Sequence, residues 1–242
     1  MPSQPSDAPA AGAAPAPDPW WLPDVSGLTV GVVGGTGEQG RGLAFRWAAA
    51  GLPVVIGSRD PSRAAAAAQE VAAATGGDVR GLGNAECAAA AAAVLIAVPY
   101  AHHRQTLVEL AADLAGRIVI DCVNPLGFDA HGAYALGVPD GSAAEEAAEV
   151  LSDSRVVAAF HHVSAKLLAD PAVLSVPSDV LVLGDDRDAT DVVRALAGVI
   201  PGMRGVYAGR LRNARQVEAM TANLISINRR YRTHSSIAIT GL

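Results

Sequence analysis

The stretch Gly35-Thr-Gly37-Glu-Gln-Gly40 restricts what this chain can fold into more than any other. A run of apolar and β-branched residues, Leu28–Val33, leads into it and a helical pattern, Arg41–Ala50, leads out. The glycines therefore sit at a strand-to-helix turn. There Gly35 permits the tight turn, Gly37 lets the backbone approach a pyrophosphate, and Gly40 lets the helix lie close on its strand. Phosphates then rest on the positive end of the helix, where the first amides have no partner of their own. A second strand, Pro53–Ile56, follows about 20 residues on, as a dinucleotide-binding βαβ unit requires.

The end of that second strand selects the dinucleotide. NAD-preferring domains place Asp or Glu there to accept a hydrogen bond from the ribose hydroxyl, whereas this chain runs Val55-Ile-Gly57-Ser58-Arg59. Ser58, Arg59 and, one helical turn on, Arg63 offer a hydroxyl and two guanidinium groups, which suit a 2′-phosphate dianion. Asp60 could pair with one of these arginines instead. NADP is the expected dinucleotide.

Further apolar runs at Ala93–Val98, Ile118–Val123, Val156–Phe160 and Asp179–Leu183 alternate with alanine-rich stretches long enough for helices. Nearly continuous apolar strands between helices predict an α/β fold, a doubly wound parallel sheet of the Rossmann type with a smaller, mostly helical C-terminal part. Ser142-Ala-Ala-Glu145 reads as a capping box opening a helix. From about Asn213 to the end, one long helix is expected, with Gln216, Ala219, Met220, Leu224 and Ile227 on one face. Residues 1–27, rich in Pro, Ala, Ser and Asp, read as a disordered tail, with Trp20 and Trp21 able to dock at its inner end. A folded NADP domain is then expected over 28–160 and a second part over 161–242.

Composition removes several function classes. The chain has 242 residues, half of them apolar, and a formal net charge of −6. That charge leaves no basic surface for a nucleic acid. The alanine-rich run Glu86–Pro99 is shorter than a membrane span and reads as a helix end leading into a strand, so no transmembrane segment is expected. Cys87 and Cys122 form no CxxC pair, which argues against a metal site or disulfide framework and suits a cytoplasmic protein. Lys166 is the only lysine, and this preference for arginine fits a GC-rich bacterial genome.

A third constellation lies where open α/β sheets bind ligands, at the carboxyl ends of the later strands. Val98-Pro99-Tyr100 ends one strand and Asn124-Pro125 follows the next, so both should face the nicotinamide half of the cofactor. Phe160-His161-His162 follows another strand and could line the same cleft. Adjacent histidines point to opposite sides of an extended chain, so one of them should face a ligand. His161 is the candidate.

Together, Gly34–Gly40, the Gly57-Ser-Arg59 turn, Val98-Pro-Tyr100, Ala159-Phe-His-His-Val-Ser-Ala165, Ala208-Gly-Arg-Leu-Arg-Asn213 and Glu218-Ala-Met-Thr221 resemble the coenzyme F420-dependent NADP reductases of archaea and actinobacteria. The resemblance runs in order from about Leu28 to Leu242. It implies a homodimer whose C-terminal part helps hold an 8-hydroxy-5-deazaflavin. It also implies that Thr36, Gly37, Glu38 and Gln39 lie along the pyrophosphate, that Val98, Tyr100 and Ala165 border the nicotinamide, and that His161 and Ile237 lie beside the deazaflavin ring. Both rings exchange electrons as a hydride, so no essential nucleophile or acid-base triad is expected. Two other readings stay open: an NADP-dependent reductase of a small imine, keto acid or alcohol, and a non-enzymatic NADP sensor.

Overall fold

Strands buried on both faces show their two-residue period directly. In the computed structural model, which describes residues 18–242, β1 (Val30–Val33) sends Val30 and Val32 into one core and Val33 into the other. The same division repeats in β2 (Val54–Ser58), where Val54 and Ile56 oppose Val55. Each face is then covered by helices, because a strand apolar on both sides cannot leave either in water.

The chain continues from β1 through α1 (Glu38–Ala49), β2, α2 (Pro61–Thr75), β3 (Val79–Gly83), α3 (Asn84–Ala90), β4 (Ala93–Ile96), α4 (His103–Leu114) and β5 (Ile118–Asp121). A small antiparallel hairpin, β6 (Leu126–Asp129) and β7 (Gly132–Ala135), precedes α5 (Ala143–Val150) and β8 (Arg155–Ala158). After these come α6 (Ala165–Ala169), β9 (Ser178–Gly184), α7 (Arg187–Gly198), β10 (Met203–Gly209) and α8 (Ala214–Tyr231). The main sheet runs β3-β2-β1-β4-β5-β8-β9-β10. Its first six strands are parallel, with the order reversing between β1 and β4, which opens a crevice beyond their carboxyl ends.

The expected α/β architecture is present, with three differences. The sheet is not wholly parallel: β9 joins β8 antiparallel, and β10 is parallel to β9, so two strands of the helix-rich C-terminal part extend the same sheet. The long C-terminal helix stops at Tyr231, where Arg232 turns left-handed at φ 51° and Asn228 Oδ1 accepts bonds from the Ser235 amide and hydroxyl. Beyond it the chain lies on β9, with the Asp179 amide donating to the Ile237 carbonyl at 2.8 Å and the Ile239 amide to Asp179 Oδ2 at 2.6 Å.

The third difference concerns the tail expected over 1–27. Residues 1–17 lie outside the described residues, but from Asp18 onward the chain is attached. Val25 is buried, Leu22 packs against the core, and Arg194 Nη2 donates to the Pro19 carbonyl at 2.7 Å. The apolar Leu22 and Val25 find a covered surface, so the folded body begins before Leu28. Trp20 and Trp21 remain about half and two-thirds exposed. Among the described residues, no helix is long and apolar enough to cross a membrane.

Candidate active site

The glycine loop divides its labour differently from the simple motif reading. Gly34, rather than Gly35, has the left-handed conformation, at φ 77°, and a Cβ there would meet the Ala97 carbonyl oxygen at 2.4 Å. Gly35 donates its amide to the Val32 and Gly57 carbonyls, which closes the turn. A Cβ on Gly40 would come 2.9 Å from the Gly34 oxygen, so glycine is needed for α1 to lie on its strand. At Gly37 the nearest atom to a Cβ is 3.4 Å away and internal packing makes no such demand. Its open side faces a cavity, and no side chain caps the helix that begins after it.

That cavity, about 430 Å³, is lined by Gly34, Thr36 and Gly37 on one side, Ser58, Arg59 and Arg63 at one end, and Val98, Pro99 and His102 opposite. Asp60 also borders it, but its carboxylate caps α2, accepting from the Ser62 amide and hydroxyl at 2.9 and 2.6 Å. Those bonds hold Asp60 below its ordinary pKa. Among the described residues Arg59 and Arg63 make no ion pair. Asn84 Oδ1 is buried at this cavity without a hydrogen-bond partner.

A second cavity of about 660 Å³ lies beyond the first turn of α1. Glu38, Gln39, Asn124, His161, Ala165, Thr221 and Leu224 line it. Three side chains from three elements fix the segment after β8. Gln39 Nε2 donates to the Phe160 carbonyl at 3.1 Å, while Asn124 Nδ2 and Thr221 Oγ1 donate to the His161 carbonyl at 2.9 and 3.3 Å. Phe160 itself is held at φ 65°, with its ring edge-on to Trp47 at 5.6 Å. A bulky residue in that conformation costs about 1–3 kcal/mol and persists only where its surroundings enforce it.

His161 is buried with neither ring nitrogen bonded. Burial lowers its pKa to about 4, so the ring is neutral near pH 7. His162 lines the cavity too, but its Nε2 accepts from the Leu181 amide at 3.2 Å, which assigns its proton to Nδ1. Both histidines thus border one cavity, and only His161 has both nitrogens uncommitted.

The remaining expected residues fall elsewhere. Glu38 and Gln39 face the second cavity rather than the loop's phosphate side. Tyr100 is half-buried in a 3₁₀ turn with its ring 6.3 Å from that of His103, outside both cavities. Pro125 borders a gap beneath the hairpin, and Ile237 contributes its carbonyl to β9 without lining either cavity.

A buried charge network behind the cleft has no counterpart in any sequence motif. His103, fully buried, is bonded through Nε2 to Asp121 at 2.6 Å and through Nδ1 to Glu146 at 2.8 Å. Burial pulls its pKa down, but the two carboxylates outweigh this and raise it to about 9, so it is an imidazolium. Glu218 on α8 accepts the first amides of α5, from Ala143 and Ala144 at 3.0 and 3.1 Å, while burial raises it to about 7. Asp121 also accepts the Val123 amide and so shapes the turn that presents Asn124. Four elements are tied together just behind the crevice.

An open sheet with a phosphate-binding turn at its switch point and two adjoining cavities there defines a dinucleotide-binding oxidoreductase of the Rossmann class. Residues 29–125 match the family model described as NADP oxidoreductase, coenzyme F420-dependent. An F420-dependent NADP reductase of Methanothermobacter marburgensis is 40% identical over 223 residues, covering 89% of this chain and 99% of that protein. The counterpart from Methanocaldococcus jannaschii is 36% identical over the same length, again covering 89% and 99%. A crystal structure from Arthrobacter sp. FB24, assigned as an F420-dependent NADP reductase, superposes with a TM-score of 0.74 at 28% identity, covering 88% of this chain and all of that one. The chain belongs to the F420-dependent NADP reductases.

Proposed function

We propose that this protein passes a hydride reversibly between NADP(H) and coenzyme F420, with NADP in the cavity beside Gly37 and the deazaflavin in the one beside His161. The observation that carries this reading is that two cavities adjoin across the first turn of α1, each with a buried polar side chain lacking a partner: Asn84 in one and His161 in the other. Such groups are costly unless a ligand satisfies them.

A bound nicotinamide and a bound deazaflavin supply the chemistry: C4 of one gives up the hydride, C5 of the other receives it, and the deazaflavin also takes up one proton. The chain's task is to bind and orient. Ser58, Arg59 and Arg63 would hold the 2′-phosphate, and the free amides of α1 with Thr36 and Gly37 the pyrophosphate. Val98 and Pro99 would border the nicotinamide. Neutral His161 would offer a hydrogen bond to the deazaflavin ring, and Gln39, Asn124 and Thr221 would hold His161 in register.

Homodimerisation is supported by the hairpin β6–β7, which stands outside the main sheet and exposes Phe128 by 68% together with Tyr134 and Leu136. A cytoplasmic setting is supported by free, buried Cys87 and Cys122. Arginine-rich composition supports a high-GC bacterial source.

NADPH deuterated at C4 on the transferred face tests the reaction. The label should arrive at C5 of the deazaflavin without loss to water. Reduction of an imine or ketone with no turnover of the deazaflavin would refute the assignment, and binding of NADP without turnover of any acceptor would favour a sensor.

A further inference from the structure

The second cavity is larger than a ring needs and electrically uneven. Buried His161 and half-buried Asn124, Thr221 and Leu224 line it together with exposed Lys166, Arg229, Arg232 and His234. Glu38 is its one acidic lining residue. This is unexpected in a chain of net charge −6. Among the described residues, no carboxylate lies within ion-pair distance of the exposed Lys166, Arg229 or Arg232, whereas the buried or half-buried Arg46, Arg194 and Arg204 are committed to internal partners.

Two helices supply these cations: Arg229 lies in the last turn of α8, Arg232 is its left-handed C-cap, and Lys166 belongs to the short helix α6. A helix C-terminus favours a cation, but it does not bring the ends of two helices distant in the chain onto one cavity. The sheltered His161 ring, Asn124 and Thr221, sharing a cavity with three exposed cations that have no ion-pair partner, match a ligand that is planar in one part and polyanionic in another.

Resting on the reading above, we propose that Lys166, Arg229 and Arg232 form a recognition site for the anionic polyglutamate tail of the deazaflavin coenzyme, so that the protein distinguishes the tailed coenzyme from the bare ring system. The inner residues set the geometry of hydride transfer and the cationic rim sets affinity.

The test compares the tailed coenzyme with the free 8-hydroxy-5-deazaflavin, in NADPH-driven turnover and in equilibrium binding without nucleotide, read by coenzyme fluorescence. Wild type should bind the tailed form at least about tenfold more tightly, the order expected from several exposed ion pairs together. That preference should vanish near 1 M salt, where screening shortens to about 3 Å. The variant Lys166→Gln/Arg229→Ala/Arg232→Asn should lose the preference by raising Kd and KM for the tailed form alone; Asn is chosen at 232 because it tolerates positive φ. Arg229→Lys should keep most of it, which guards against a folding defect. Equal affinity of wild type for both forms, with both turned over, would overturn the tail site and leave the reaction standing. Turnover of neither form would overturn the reaction, and the tail site with it.

Discussion

The Gln39 side-chain amide donates to the Phe160 carbonyl at 3.1 Å and so joins the helix of the phosphate loop to the strained residue that precedes His161. One side chain thus couples the glycine loop's helix to the segment that lines the second cavity. Gln39→Ala leaves a buried carbonyl unsatisfied, which costs about 1–3 kcal/mol. The expected result is a lower melting temperature and a higher KM for the deazaflavin, with the Kd for NADPH within about twofold. A loss confined to NADPH binding would return Gln39 to the pyrophosphate.

Arg59→Ala should weaken NADP(H) binding roughly 10- to 100-fold, the range for a charge-assisted hydrogen bond of about 1.5–3 kcal/mol, and leave NAD(H) binding nearly unchanged. Asp60 is occupied with the Ser62 amide and hydroxyl, so Arg59 has no internal partner to lose. Titration calorimetry with both nucleotides decides it; equal loss for the two would mean a structural role.

Stability should peak near pH 6.5. His161 and His162, both lowered to about 4 by burial, contribute stability that is complete above the unfolded value of 6.5 and is lost as pH falls toward 4. Glu218, raised to about 7, works the other way, its contribution complete below 4.5 and lost by about 7, but one group does not outweigh two. His103, raised to about 9 despite burial because Asp121 and Glu146 face it, contributes fully below 6.5 and ceases to as pH passes about 9. Thermal melts from pH 4.5 to 9 should trace both limbs, and His161→Phe should flatten the acid one. A flat plateau up to pH 9 in the wild type would contradict an imidazolium at His103.

Much of the front half was readable, because β1, β2, β4 and β5 are short apolar runs between helices and the glycine turn carries its own chemistry. Strands β3 and β10 were hidden by glycine. A Cβ on Gly81 would sit 2.3 Å from the Ala64 carbonyl of α2, and one on Gly205 2.4 Å from Cα of Arg194 in α7. The residues that disguised these strands are the ones that let helices lie against them. The end of α8 was misread because Asn228 and β9, not any local breaker, capture the chain after Tyr231. Ser58, Arg59 and Val98 line one cavity and His161 the other, whereas the His103 network is invisible in the sequence because Asp121 and Glu146 reach it from distant elements.

Val25→Ala should destabilise the protein by about 1.5 kcal/mol, at about 0.8 kcal/mol for each buried methylene equivalent, although Val25 lies in a stretch of tail-like composition. Chemical denaturation would show a lower midpoint at an unchanged slope. No change would mean that residues 18–27 rest on the surface without contributing.

The cavity beside Gly37 is built from residues 34–106, while the one beside His161 draws, apart from Glu38, Gln39 and Asn124, on residues after 160. On the proposed assignment, the seats of the two coenzymes are therefore encoded by largely successive stretches of one gene. A recombination crossover within the hairpin at 126–135 would exchange most of the second cavity's lining while inheriting the cavity beside Gly37 whole. A fold divided in this way would let the second coenzyme's seat change without relearning how to hold the first.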